Sequence, residues 1–91
     1  MVLHEDRKKL SKKTQDIKRA IDSLREEMEA VDYYNQRADA CSDKELKKIL
    51  LHNAKEEKEH ASMLIEWLRK NDKELETELR EILFKDKVNV N

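Results

Sequence analysis

Apolar residues recur at alternating steps of four and three along the first half of the chain, and this repeat limits the possible folds more than any other feature. Nine positions follow it: Leu10, Thr14, Ile17, Ile21, Leu24, Met28, Val31, Asn35 and Ala38. A seven-residue period held over such a length is typical of a helix that packs along a coiled-coil or helix-bundle seam. The repeat therefore predicts one helix over residues 7–41.

The second half of the chain predicts two more helices. Ser42 and Glu45 have the spacing of a capping box, which predicts a helix over residues 43–70. The apolar stripe of this helix contains Leu46, Ile49, Leu50, Asn53, Glu57, His60, Ala61, Leu64, Trp67 and Leu68. Asn71 is expected in the left-handed conformation that often ends a helix. Asn71 or Asp72 then caps a shorter helix over residues 72–84, and a polar tail follows at 85–91.

These helices predict an all-α fold in a single domain, residues 1–91. The chain has no Gly and no Pro, and 45% of its residues are charged although the net charge is only −1. That composition fits long helices with i,i+4 ion pairs on their surfaces. We expect an antiparallel helical hairpin plus a short C-terminal helix. Because one hairpin of 91 residues buries little apolar surface by itself, we also expect two hairpins to dimerise into a four-helix bundle.

Composition also indicates where the protein works. No apolar run is long enough to cross a bilayer, and there is no secretory segment. Cys41 is the only cysteine, which favours a reducing compartment and a plain packing role for this residue. Residues 1–20 hold seven Lys and Arg against three Asp and Glu, but no aromatic platform accompanies them, and a solvated helix face is the better interpretation. We expect a cytoplasmic protein that binds neither membrane nor nucleic acid.

Glu57 and His60 interrupt the apolar stripe of the second helix. At 100° per residue both lie at the centre of the face that should be buried, and their spacing of three places them on one side of the helix. A buried, ionised carboxylate without partners costs several kcal/mol. Two interpretations are open. Glu57 and His60 form a buried ion pair, or they are the Glu-x-x-His half of a metal site like those of di-iron carboxylate bundles.

The hairpin geometry offers a test, because residues at equal distance from the turn lie at equal height. Glu57 follows Ser42 by 15 residues, and the residue 15 before Ser42 is Glu27. One chain would thus supply Glu27, Glu57 and His60, which is half of a di-iron ligand set. The sequence contains a single Glu-x-x-His motif. A twofold-symmetric dimer would supply the other half.

Two segments, REEMEAVDYYNQRADA (25–40) and LLHNAKEEKEHASMLIEWLRKND (50–72), resemble the encapsulated ferritin-like proteins, and the resemblance covers most of residues 17–84. It implies hairpins that pair into a ferritin-like four-helix unit and dimers that assemble into a ring-shaped decamer. It also implies oxidation of Fe(II) by O₂ at a di-iron centre, inside an encapsulin shell that stores the iron. Family members usually carry a C-terminal extension that docks into the shell, and the tail 85–91 does not resemble it.

The resemblance assigns roles to individual residues. Glu27, Glu57 and His60 match the catalytic metal ligands. Glu26 and Glu29 match acids of an outer metal site, and Tyr34 matches a tyrosine close to the metal centre. The alternative to a ferroxidase is a non-enzymatic helical oligomerisation module, in which a buried Glu–His pair only fixes the register of the helices.

Overall fold

The computed structural model describes residues 2–90 and is all-helical over that range. A 3₁₀ helix, Arg7–Lys9, precedes three α-helices: α1 (Lys12–Ala40), α2 (Lys44–Asn71) and α3 (Lys73–Ile82). α1 and α2 form the long hairpin, and α3 is the short C-terminal helix that packs on α2. The predicted all-α class and the hairpin-plus-short-helix architecture are confirmed. None of the helices in this range is both long enough and apolar enough to cross a membrane.

The first helix begins later than predicted. The chain forms the 3₁₀ helix, Arg7–Lys9, then extends through Leu10, and α1 starts only at Lys12. Ser11 explains the position, because its hydroxyl oxygen accepts a hydrogen bond from the backbone N–H of Thr14 at 3.1 Å. Such a side-chain cap satisfies one of the N–H groups that lack a partner within the helix. The heptad repeat starts at Leu10 and gave no sign of this cap.

The predicted capping box at the hairpin turn is wrong, although the turn lies where it was expected. Asp43 rather than Ser42 caps α2: its carboxylate accepts from the backbone N–H of Leu46 at 2.8 Å. Both residue types are good caps, but a carboxylate also interacts favourably with the positive end of the helix dipole. The helix therefore begins one residue later than predicted.

The corner between α2 and α3 has no loop. Asp72 ends α2 and also caps α3, with an extended backbone (φ −145°, ψ 101°) and a carboxylate that accepts from the Leu75 N–H at 3.0 Å. The left-handed conformation predicted for Asn71 is wrong, since Asn71 is the last residue of α2. Among the described residues only Phe84 has a positive φ, 59°. It follows the end of α3, which comes at Ile82 rather than at 84. Residues 85–90 are irregular, and position 91 of the predicted tail lies outside the described residues.

The interior of the hairpin consists mostly of small side chains. Its buried apolar residues are Ala20, Val31 and Ala38 on α1 with Ala54, Ala61 and Leu68 on α2. Val31, Ala38, Ala61 and Leu68 belong to the predicted stripes. The remainder of the predicted α2 stripe does not all face α1, because Leu46, Ile49 and Trp67 are exposed in the single chain.

These exposed residues belong to a second face of α2, which we call the outer face. It follows steps of three and four through Leu46, Ile49, Asn53, Glu56, His60, Met63 and Trp67. Ile49 is 52% exposed and Met63 59% exposed. Apolar residues at heptad spacing that are left open to solvent have the pattern of a helix-packing seam. His60 therefore lies on a face that the hairpin itself does not cover.

Candidate metal centre

Three potential metal ligands converge where α1 and α2 pass the middle of the hairpin. One ligand atom from each of Glu27, Glu57 and His60 lies within 4.8 Å of the other two. His60 Nδ1 is 3.4 Å from Glu27 Oε2 and 3.7 Å from Glu57 Oε2. All three side chains are half-buried, with His60 the most open of them. Among residues 2–90 no other group of three or more His, Cys, Asp and Glu side chains is this close.

The local structure explains the convergence. Glu57 and His60 are separated by one turn of α2, so their side chains leave the helix on one side. Glu27 comes from α1, which runs antiparallel to α2 and is joined to it by three residues, 41–43. Equal distances from this turn bring Glu27 to the height of Glu57, at about 22 Å along each helix. The acid selected by sequence counting is thus the acid that the fold brings to the pair.

The neighbours of Glu27 in this cluster disfavour its ionised form. The pKa of Glu27 is raised above its ordinary value of 4.5, first by a hydrogen bond that its protonated form shares with Glu57, then by burial and by the Glu57 charge. His60 acts in the opposite direction but does not cancel these effects. Glu27 Oε2 is buried and accepts no hydrogen bond. A buried oxygen of this kind carries a desolvation penalty that a hydrogen bond or a cation would remove.

The donor set fits a first-row divalent metal. Two carboxylates and one imidazole suit iron, manganese and zinc. The oxygen of Glu27 that lacks a hydrogen bond is available as a donor atom between the two helices. Three ligands from one chain also leave coordination positions for other donors. The residues present are therefore chemically suited to a metal, and the single hairpin contributes an incomplete ligand set.

The other predicted site residues lie outside this cluster. Glu26 and Glu29 are exposed on α1, and Tyr34 is half-buried two turns beyond Glu27. Arg37 links the aromatic pair, since its guanidinium carbon is 5.7 Å from the ring centroids of both Tyr33 and Tyr34. A hydrogen bond with Glu29, reinforced by that carboxylate's charge, raises the pKa of Tyr33. In the single hairpin these residues form a separate surface group.

One further polar pair lies on α2, one to two turns toward the hairpin turn from His60. His52 Nε2 is 3.3 Å from Glu56 Oε1, with the His52 side chain exposed and the Glu56 side chain half-buried. His52 lies five residues before Glu57, more than one turn away along α2. The observed distance agrees with a local i,i+4 contact on the surface of α2.

A helical hairpin that brings one Glu together with a Glu-x-x-His pair carries half of the ligand set of the ferritin-like di-iron carboxylate proteins. The family model described as EncFtn-like matches residues 2–86, and the chain belongs to this family. The predicted resemblance is confirmed.

Two relatives and one solved structure illustrate the similarity. The chain is 53% identical over 81 residues to the encapsulated ferritin-like protein of Rhodospirillum rubrum, an alignment that covers 89% of this chain. It is 49% identical over 84 residues to a ferritin-like protein of Thermotoga maritima, covering 92% of this chain. The chain spans 58% of the length of the first relative and 74% of the second. A crystal structure of a protein from Nitrosomonas europaea superposes with a TM-score of 0.93 at 54% identity and covers all of both chains.

Proposed function

We propose that this protein is a ferroxidase that oxidises Fe(II) to Fe(III) with O₂. The observation that carries the proposal is the convergence of Glu27, Glu57 and His60 around a buried carboxylate oxygen that accepts no hydrogen bond. Membership of a ferritin-like family supports an iron-related role for the cluster. In this reaction iron is the substrate, each Fe(II) gives up one electron, and O₂ accepts the electrons.

The proposed site is a di-iron centre shared by two copies of the chain. A complete bundle site of this type needs two Glu-x-x-His motifs and two further Glu residues. One hairpin offers half of that set. The exposed heptad pattern of the outer face supports a twofold partner, because His60 lies on this face beside Met63 and other exposed apolar residues. We propose that pairing through the outer face joins the two half-sites and covers the apolar residues around them.

Each residue has a proposed task. Glu27 and Glu57 are hard anionic donors, which favour Fe(III) over Fe(II) and so make loss of an electron easier, while His60 supplies a nitrogen ligand. Glu26 and Glu29, exposed on α1, would attract Fe²⁺ from solution and form an outer metal site. Tyr34 is proposed as a catalytic aromatic residue next to the completed centre. Because carboxylates and imidazole must lose their protons to bind metal, activity should decline at acid pH.

The name of one relative supports the proposed location. The Rhodospirillum rubrum relative is called an encapsulated ferritin-like protein. We propose that this chain likewise works inside an encapsulin nanocompartment in the cytoplasm, where the shell stores the oxidised iron. The proposed oligomer is a ring-shaped decamer built from dimers.

An anaerobic titration with Fe²⁺ followed by addition of O₂ tests the reaction. The expected result is saturable binding at one iron per chain, then a rise in ferric absorbance. Glu57→Gln should abolish both, because it removes a charged ligand while keeping the side chain's shape. Glu59→Gln is the matched control, since Glu59 is an exposed acid on the same helix. Equal activity in the two variants would contradict the proposal.

The competing hypothesis is a non-enzymatic oligomerisation module. The distances from His60 Nδ1 to Glu27 and Glu57 favour it in one respect, because a protonated imidazole could balance the two carboxylates without metal. Native mass spectrometry with and without Fe²⁺ separates the hypotheses. A ferroxidase should gain two irons per dimer, whereas a purely structural module should show the same oligomer and no bound metal.

A further inference from the structure

On α2, alanines lie in the helix interface on both sides of the candidate metal centre. Ala54 is 2% exposed and Ala61 is 3% exposed, both on the face of α2 that packs against α1. Ala54 precedes Glu57 by three residues, and Ala61 follows it by four. The two alanines therefore lie about one turn from Glu57, one toward each end of α2. The ligand from α1 and the ligands from α2 meet between them.

Side-chain size at such positions sets how closely two helices approach. Interaxial distances in proteins range over about 8–10 Å, depending on the residues at the contact. Glu27 must meet Glu57 and His60 across this gap, and the three ligand atoms lie within 4.8 Å of one another. Metal–ligand distances tolerate deviations of only about 0.2 Å. A change of even 1 Å in helix separation would thus exceed what the metal can accept.

We propose that Ala61, together with Ala54, is a positioning residue that holds α1 and α2 close enough for Glu27 to share a metal with the Glu-x-x-His pair. Neither alanine touches the metal in this proposal, which rests on the proposed function. The effect acts within one hairpin, because both side chains are already covered in the single chain. Larger residues at these positions separate Glu27 from Glu57 and His60, whereas a residue close to alanine in size preserves the distance.

The test compares Ala61→Val with Ala38→Val in the full chain. Ala38 is a matched control because it is 1% exposed in the same α1–α2 interface, but it follows Glu27 by 11 residues, about 16 Å along α1. Both variants add the same two methyl groups and carry the same loss of helix propensity. Co²⁺ is the probe, since it accepts the same ligands as Fe²⁺, is not oxidised by air at such a site, and reports its coordination geometry by visible absorption.

The expected result is that Ala61→Val weakens Co²⁺ binding roughly 10- to 100-fold, the range for residues that orient metal ligands. Its absorption spectrum should also change. Ala38→Val should lose comparable thermal stability but keep the Co²⁺ affinity and the absorption spectrum of the original chain. Ala61→Ser should also keep this affinity and this spectrum. Should Ala61→Val fail to fold by circular dichroism, Ala54→Val takes its place in the comparison.

Two outcomes would overturn the reasoning, and they differ. If the unmodified chain binds Co²⁺ and both Val variants bind it equally well, or equally poorly, helix spacing at Ala61 does not set the ligand geometry. If the unmodified chain binds no Co²⁺, the proposed metal function fails, and the spacing role falls with it.

Discussion

Replacing Glu27 by Gln should stabilise the metal-free protein while removing metal binding. Glu27→Gln keeps the shape of the side chain and removes a charge that lies beside Glu57. In the structure Glu27 Oε2 is buried without a hydrogen bond, and the nearby Glu57 carboxylate is the main reason that the Glu27 pKa is raised. A glutamine amide removes this repulsion and can donate a hydrogen bond to Glu57.

The magnitude follows from the state of this one oxygen. A buried polar group without a partner costs about 1–3 kcal/mol. The Glu27 side chain still has 24% of its surface in solvent, so the lower end, about 1 kcal/mol, is the appropriate figure. For a chain of 91 residues, that free energy corresponds to a rise of about 4–8 °C in melting temperature. Thermal unfolding in excess chelator, at one fixed protein concentration, measures it.

The pH dependence gives the sharper test. A carboxyl group whose pKa is higher in the folded than in the unfolded chain binds protons more tightly when folded, so the free energy of unfolding falls as pH rises through that window. For Glu27 the window begins at the ordinary value of 4.5 and extends to the raised pKa. The advantage of Glu27→Gln should be full above the raised pKa of Glu27 and should disappear as pH falls below the ordinary value of 4.5, where Glu27 becomes protonated in both states.

Glu26→Gln provides the control, since Glu26 is the exposed neighbour on α1, and its effect on stability should stay within about 0.5 kcal/mol. The reasoning is refuted if Glu27→Gln destabilises the metal-free protein, or if its advantage does not depend on pH.

Three further outcomes are expected. Asp72→Ala should cost about 1 kcal/mol, because it removes the cap of α3, and circular dichroism together with limited proteolysis should find the loss confined to α3. A hydrogen bond from Arg69 lowers the pKa of Glu66 below 4.5. The stability that this pair contributes is therefore present above pH 4.5 and is lost as pH falls further. In denaturant titrations, Arg69→Met should reduce this loss of unfolding free energy at acid pH. Ile49→Asp introduces a charge on the outer face 11 residues before His60, and light scattering should detect loss of the proposed dimer while the helix content stays unchanged.

Sequence reasoning was most successful where one periodicity governs many residues. The heptad repeat predicted the first long helix and the apolar stripe predicted the second, and counting from the turn selected Glu27 because residues at equal distances from the turn of an antiparallel hairpin lie at equal height. Sequence reasoning was least successful at helix ends, where neighbouring residues compete to cap the same helix. Ser42 and Asp43 are both good caps, and only the folded chain decides that Asp43 accepts from Leu46. Single-residue choices of this kind depend on differences of about 1 kcal/mol or less.

The burial pattern of α2 could not be predicted from a single apolar stripe, and the reason is different. A helix that packs on α1 and also carries a second apolar seam has two stripes, and periodicity merges them into one broad face. Ala54 and Ala61 form the inner stripe, whereas Ile49 and Met63 lie on the exposed outer face. Only the folded hairpin separates the residues that close its own core from those left open. Likewise no sequence signal reveals that one oxygen of Glu27 accepts no hydrogen bond.

That oxygen links the stability of the hairpin to its proposed chemistry. In the metal-free chain the hydrogen bond with Glu57, burial and the Glu57 charge all favour the protonated form of Glu27, so ionisation of Glu27 opposes folding. A bound cation reverses the sign of the same contact, so metal binding stabilises the folded state by mass action. When the second half of the ligand set comes from another copy, metal that binds the dimer better than the single chain must also strengthen the dimer by the same factor. Under this proposal, iron binding and dimer formation are one coupled equilibrium. Glu27 destabilises the metal-free hairpin and, as a metal ligand, strengthens the coupling between the two events.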